Sequence, residues 1–204
     1  MYGAIVGSGS TGVVVANDVP HLLCETLVPA RFLAAHGFRV LIFDYRDHED
    51  SDTSVDPGRL DRDVAGAVAE LRSRGVRRVV LLGSYAGVAA AVVAATEIRP
   101  AVDGIIGISP AAYRGQWVQG PFGPIGALQA APRVRVPALL ITVRTDSFVP
   151  LGEVHRLYRS MASRDKELVV IPSGSAGFDV IDFNSYADRV RSAILDFIER
   201  VAGR

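Results

Sequence analysis

The chain has 204 residues, 49% of them hydrophobic and 22% charged, which suits an α/β domain with a full-sized core. Lysine plus arginine and aspartate plus glutamate each number 22, so the formal net charge is zero; that balance gives no ground for nucleic acid or an anionic membrane and leaves a homodimer open. A single cysteine, Cys24, excludes an internal disulfide or cysteine-based zinc cluster, and with no signal-peptide pattern and no bilayer-length apolar run a cytoplasmic protein is expected.

In chain order, β-branched runs alternate with helical stretches. Gly7-Ser8-Gly9-Ser10-Thr11-Gly12 fits G-x-G-x-x-G, but Val13-Val14-Val15 follows where a dinucleotide site needs a helix, and Pro20 blocks an early one. The glycines therefore read as a hairpin between two strands, the second over 12–16. A helix is expected over 22–36, stopped by Gly37, then a strand over 38–44. Asp56 can cap a helix with Pro57 at its first position. That helix places Leu60, Val64, Ala67, Val68 and Leu71 on one face and ends at Gly75. Strands are expected over 76–82, 102–108, 136–143 and 166–171. Helices are expected over 86–96, 151–162 and 185–201, the last turning Val190, Ile194, Phe197 and Ile198 inward.

This alternation predicts one α/β domain over 1–204, a three-layer structure with a mostly parallel sheet and helices on both faces. The one long irregular stretch, 110–137, holds Trp117 and Phe122. It follows the C-terminal end of a strand and reads either as a short lid or as an excursion capping the core.

Gly83-Ser84-Tyr85-Ala86-Gly87 is the most informative stretch. It lies between an apolar strand and an alanine-rich helix, the setting of a G-x-S-x-G nucleophile elbow. Such a turn needs small residues two before and two after its apex. The two glycines bracket Tyr85, not Ser84, so the elbow is intact and its apex is tyrosine.

With these residues the chain resembles the α/β-hydrolase family, particularly compact bacterial members similar to dienelactone hydrolase. Phe38 to Arg46 looks like the family strand ending in D-Y-R, and Ser109-Pro110 like the end of the strand after the elbow. Residues 137–141 leading to Asp146-Ser147-Phe148-Val149-Pro150 look like the strand and turn that carry the acid, and 166–172 followed by Gly177-Phe178-Asp179 like those that carry the histidine. The resemblance assigns Asp146 to the acid, puts Tyr85 where the serine belongs and Ala176 where the histidine belongs. At the family's oxyanion loop this chain has Asn17-Asp18, and after D-Y-R it has Asp47-His48-Glu49.

A serine-type reaction needs a hydroxyl activated by a base and a base oriented by an acid. A tyrosine ionises near pH 10, Ala176 accepts no proton, and Asp18 near the oxyanion amides repels developing negative charge. The candidate catalytic residues are thus Tyr85, Asp146 and Ser84, and the candidate binding residues Asn17, Asp18, Val19, His21, Ala86, His48 and Ala176. His36 and His155 read as surface residues and Cys24 as a buried small one. Asp47, Glu49, Asp50 and Asp52 read as a solvated acidic loop. No cofactor and no metal are expected. Three functions fit: a hydrolase-like pocket that binds a small molecule or promotes a cyclisation, isomerisation or elimination; an esterase or thioesterase with a rebuilt site; and a non-catalytic interaction scaffold.

Overall fold

The computed structural model describes residues 1–18, 23–48, 50–53, 58–111 and 126–203. Its strands are β1 (Gly3–Val6), β2 (Thr11–Ala16), β3 (Arg39–Phe43), β4 (Arg78–Ser84), β5 (Gly104–Ile108), β6 (Ala138–Val143) and β7 (Lys166–Ile171). Its helices are α1 (Leu27–Ala35), α2 (Leu60–Ser73), α3 (Ala86–Glu97), the single turn α4 (Ala127–Ala130), α5 (Leu151–Ser160) and α6 (Ala187–Ala202). The strands form one sheet in the order β1-β3-β2-β4-β5-β6-β7. β1 runs antiparallel to β3 and every other pairing is parallel.

Side-chain alternation along the strands divides the core in two. Val14, Leu41, Leu81, Ile105 and Leu140 face α2, α3, α4 and α5. Val13, Val15, Ile42, Leu82, Ile106 and Ile141 face α1 and α6. Both faces are covered, which is why the central strands are continuously apolar rather than alternating. The expected inward faces hold: Leu60, Val64, Ala67, Val68 and Leu71 of α2 and Val190, Ile194, Phe197 and Ile198 of α6 are all buried.

The chain leaves β2 for β3 on one side and later returns to place β4 on the other. Strand order reverses there, and in open parallel sheets ligands bind outside the strand ends at such a switch point. Asn17-Asp18 and Tyr85 leave the two strands at that place.

Four expectations need correction. The strands flanking the Gly7–Gly12 run do not form a hairpin, because β3 inserts between them and pairs with both; a parallel neighbour with the right apolar register outcompetes the local turn. The helix expected from residue 22 opens with a 3-10 turn (Leu23–Thr26), and α2 starts at Leu60 after Arg59 with no side-chain cap. Asp61 and Asp63 in its first turn answer the helix dipole instead, and the expected cap at Asp56 and Pro57 lies outside the described residues. Cys24 is exposed, because that 3-10 turn buries Thr26 and leaves Cys24 and Glu25 outside. Of the long irregular stretch, 112–125 with Trp117 and Phe122 lie outside the described residues, and its end is ordered as α4 and a 3-10 turn (Ala131–Arg133).

The elbow glycines are fixed by sterics. A Cβ on Gly87 would lie 2.0 Å from the Ala16 carbonyl oxygen, and one on Gly83 2.6 Å from the Val88 amide nitrogen. A Cβ on Gly152, in α5, meets nothing within 4 Å. Gly87→Ala is therefore expected to destabilise the chain by on the order of 3 kcal/mol, and Gly152→Ala to stabilise it by about 0.5–1 kcal/mol. Urea denaturation of the three proteins checks both signs.

Candidate functional site

The site is built on the turn from β4 into α3. Tyr85 sits at its apex with φ 47° and ψ −112°, a region that costs a non-glycine residue about 1–3 kcal/mol and that persists where surrounding structure enforces it. The enforcement is visible: the Gly83 and Gly87 backbones pack against each other and against the end of β2. Ser84, the last residue of β4, is 2% exposed.

Ala86 opens α3, so its N–H has no partner within the helix. It donates to Oδ1 of Asp18 at 3.1 Å. Asp18 is itself held by its own backbone N–H, which donates to Asn17 Oδ1 at 2.9 Å. The Asn17 carbonyl accepts the Tyr45 hydroxyl at 3.2 Å. Tyr45 is buried, and burial first, then the Asp18 and Asp63 carboxylates, push its hydroxyl well above the usual tyrosine range. Asp63, on α2, accepts the Arg46 amide at 3.0 Å and is ion-paired with its guanidinium, which pins the turn after β3 to the helix below.

The Tyr85 ring is half-buried. It meets the Phe148 ring edge-on, with centroids 6.1 Å apart. On another side it packs on Gly177, where a Cβ would stand 2.6 Å from Tyr85 Cε2 and 3.4 Å from Ser84 Oγ. The phenol is pushed up to about 12, by burial first and then by the Asp146 carboxylate; a hydrogen bond with Ser109 opposes this, and Asp18 and Asp179 add to it. Ser109 follows β5 with φ 48°. It is fully buried, and its Oγ accepts the Gly177 N–H at 2.9 Å.

Asp146 lies in the turn between β6 and α5. One carboxylate oxygen accepts the amides of Phe148 at 2.8 Å and Val149 at 3.1 Å. The other, Oδ2, is buried and has no hydrogen-bond partner. Ala176 stands just before Gly177, half-buried at the start of the 3-10 turn Gly177–Ile181.

The structure thus brings together Tyr85, Ser84, Ala86, Asn17 and Asp18, with Asp146 in electrostatic reach and Ala176 beside the ring's neighbour Gly177. His48 lies in the turn after β3. It packs edge-on against Tyr45 at 6.5 Å, and its Nδ1 lies 3.1 Å from the Arg46 carbonyl. Val19 and His21 lie outside the described residues. His36 is exposed and His155 half-buried. Among the described residues no group of three His, Cys, Asp or Glu is placed to hold a metal ion, Asp47, Asp50 and Asp52 included; Glu49 is outside them. Sequence reasoning missed Ser109, Phe148, Asp179 and Tyr45 as parts of the site. Ser109 and Tyr45 lay within motifs already singled out, but only chain crossing shows that they meet Tyr85 and Asn17.

No protein-family model matches the chain, and no curated protein matches it by sequence. Solved structures do match in shape. The monoacylglycerol lipase of Paleococcus ferrophilus superposes with a TM-score of 0.77 at 15% identity, over 98% of both chains. A thermophilic esterase from Thermogutta terrifontis gives 0.76 at 17%, over 98% of this chain and 93% of that one. The enol-lactonase of Burkholderia xenovorans gives 0.71 at 16%, over 97% and 95%. No helix among the described residues is long and apolar enough to cross a membrane. The seven-stranded sheet, the tyrosine-tipped elbow at its switch point and these full-length superpositions place the chain in the α/β-hydrolase fold.

Proposed function

We propose that the site at the C-terminal ends of β2, β4 and β5 binds a small molecule and that any reaction there is non-hydrolytic, a cyclisation, isomerisation or elimination assisted by a positioned phenol. One observation carries this reading: the Ala86 N–H is already engaged by the Asp18 carboxylate. In this fold the amide after the elbow apex is one of the donors that stabilise the oxyanion of an acyl-transfer intermediate. Here a permanent carboxylate oxygen takes the place of that oxyanion, and a second negative oxygen beside it is repelled.

Two further features point the same way. A phenol pushed up to about 12 stays protonated at any physiological pH, so Tyr85 serves as a hydrogen-bond donor or general acid and not as a nucleophile. Ala176 offers no base, and the Asp146 oxygen that would orient one is left without a partner. Triad members act as a unit, so these departures together cost orders of magnitude in hydrolytic rate.

A fluorophosphonate probe is expected to leave the folded protein unlabelled by intact mass, and stoichiometric labelling of Ser84 or Tyr85 would return the site to acyl transfer. The double substitution Tyr85→Ser with Ala176→His is expected to leave p-nitrophenyl acetate turnover near background while Asp18 is present. Adding Asp18→Ala is expected to raise it about 100-fold, the worth of one oxyanion donor; equal rates in the double and triple variants would remove Asp18 from the argument. Alkaline titration supplies a third check. Between the ordinary value of 10 and about 12 the folded chain keeps a Tyr85 proton that the unfolded chain releases. Stability from this group is therefore complete below about pH 10 and lost as pH rises through about 12. Tyr85→Phe is expected to flatten that alkaline loss, read from urea midpoints at about pH 8 and about pH 11.

A further inference from the structure

We propose that β1, at the open edge of the sheet, pairs antiparallel with β1 of a second copy of this chain, across a twofold axis at Ala4, so that the two sheets join into one. This pairing does not depend on the ligand-binding reading of the Tyr85 site.

Hydrogen-bond parity along β1 fixes which of its groups face outward. In an antiparallel ladder, opposed residues alternate between exchanging both bonds and exchanging none. The Asp44 N–H donates to the Tyr2 carbonyl at 3.1 Å. The Tyr2 N–H reaches the Asp44 carbonyl through the Ser51 hydroxyl, at 2.8 and 2.7 Å. The Tyr2 backbone therefore points toward β3. Gly3 stands opposite Phe43, Ala4 opposite Ile42 and Ile5 opposite Leu41. By alternation Ala4 and Val6 also bond β3, and the N–H and carbonyl groups of Gly3 and Ile5 point away from the sheet. Nothing among the described residues hydrogen-bonds these outward groups. Gly3 and Ala4 are exposed and Ile5 is half-buried. An edge open in this way is a template for another strand. The opposite edge, β7, opens with Lys166-Glu167, charges of the kind that deter such pairing. Gly3-Ala4-Ile5-Val6 carries no charge.

An identical copy fits this edge. Setting Gly3 opposite Ile5 of the second copy, and Ile5 opposite its Gly3, uses every outward group of β1 and puts Ala4 against Ala4. The side chains obey the same register. Gly3 and Ile5 face the α2 side of the sheet, where Ile5 packs on the core. Beside them lies a groove of about 480 Å³ lined by Leu41, Phe43, Gly66 and Ala67. The hydrogen at Gly3 leaves Ile5 of the second copy room to enter that groove. On the other face Tyr2, 53% exposed, comes opposite Val6 of the second copy, an aromatic against a β-branched side chain. Met1, 44% exposed, comes opposite Gly7 of the second copy. Glu70 and Arg74 at the rim of the groove are ion-paired with one another, so an identical copy meets no net charge there. The whole chain has a formal net charge of zero, and two copies do not repel.

Sedimentation velocity with light scattering on the purified chain is the test. The wild-type chain is expected to be a dimer that dissociates on dilution. Ala4→Lys and Ala4→Glu each set like charges face to face at the axis, and each is expected to be a monomer that circular dichroism shows to be folded. Mixed in equal amounts, the two variants are expected to recover the dimer, because a twofold at residue 4 brings the lysine against the glutamate. Tyr2→Ser keeps the test sharp should either charge disturb folding. It removes an exposed side chain and is expected to raise the dimer dissociation constant about fivefold, the worth of one cross-strand pair. A wild-type monomer at every concentration overturns the proposal. So does growth past the dimer, with β1 of one copy on β7 of the next. An unchanged dimer in the Ala4 variants, a mixture of them that stays monomeric, or an unchanged dissociation constant in Tyr2→Ser overturns it as well.

Discussion

The close approach of α3 to the end of β2 governs this site. With hydrogen alone at Gly87, the helix backbone settles against the Ala16 and Asn17 carbonyls, where a Cβ would sit 2.0 Å from one and 2.6 Å from the other. The helix is lined with alanine, Ala89, Ala90, Ala91, Ala94 and Ala95 all buried, so its whole length lies near the sheet. That proximity carries the first amide of α3 to the turn after β2. It also forces the residue between β4 and α3 into a conformation that only a tightly supported turn sustains.

Everything chemical follows from what occupies that geometry. In the hydrolase arrangement the free amide at the helix start waits for charge that appears only during reaction, and it is worth most when nothing fills it beforehand. Here the charge is permanent. Asp18 caps the helix, a stabilising place for a carboxylate, and in the proposed reading the same contact removes the amide from transition-state work. The apex side chain is correspondingly held neutral, since burial and the carboxylate of Asp146 both oppose a phenolate. In the proposed reading, stability and hydrolytic competence are in opposition at Asp18. The esterase and lipase neighbours share the frame at 15–17% identity, which is a likeness of fold.

Much of the architecture was legible because it rests on local periodicity. The apolar runs expected as strands over 76–82, 102–108 and 136–143 are strands buried on both faces, shifted at their ends by up to two residues, and the 3.6-residue spacing of Leu60, Val64, Leu71 and of Val190, Ile194, Phe197 marks helix faces. The elbow was legible for a different reason: two glycines four apart, between strand and helix, mark a backbone that must pass close to another. What failed were features decided by competition between distant segments. The glycine run looked like a hairpin because nothing local announces that β3 will insert between its arms, and Cys24 looked buried because hydrophobicity does not say which side of a 3-10 turn meets the core.

The residue types alone therefore determined the alternation of strands and helices and the tyrosine between the two elbow glycines, because each follows from spacing along a single segment, whereas the assignment of Ala176 to the base position rests on the family resemblance. Tertiary structure alone decided that Asp18 reaches the Ala86 amide across 68 residues, and that Gly177 reaches Ser109 across another 68. Those contacts depend on how separate loops meet at the sheet's C-terminal edge, where a shift of an ångström makes or breaks a hydrogen bond, and no one-dimensional pattern encodes that distance.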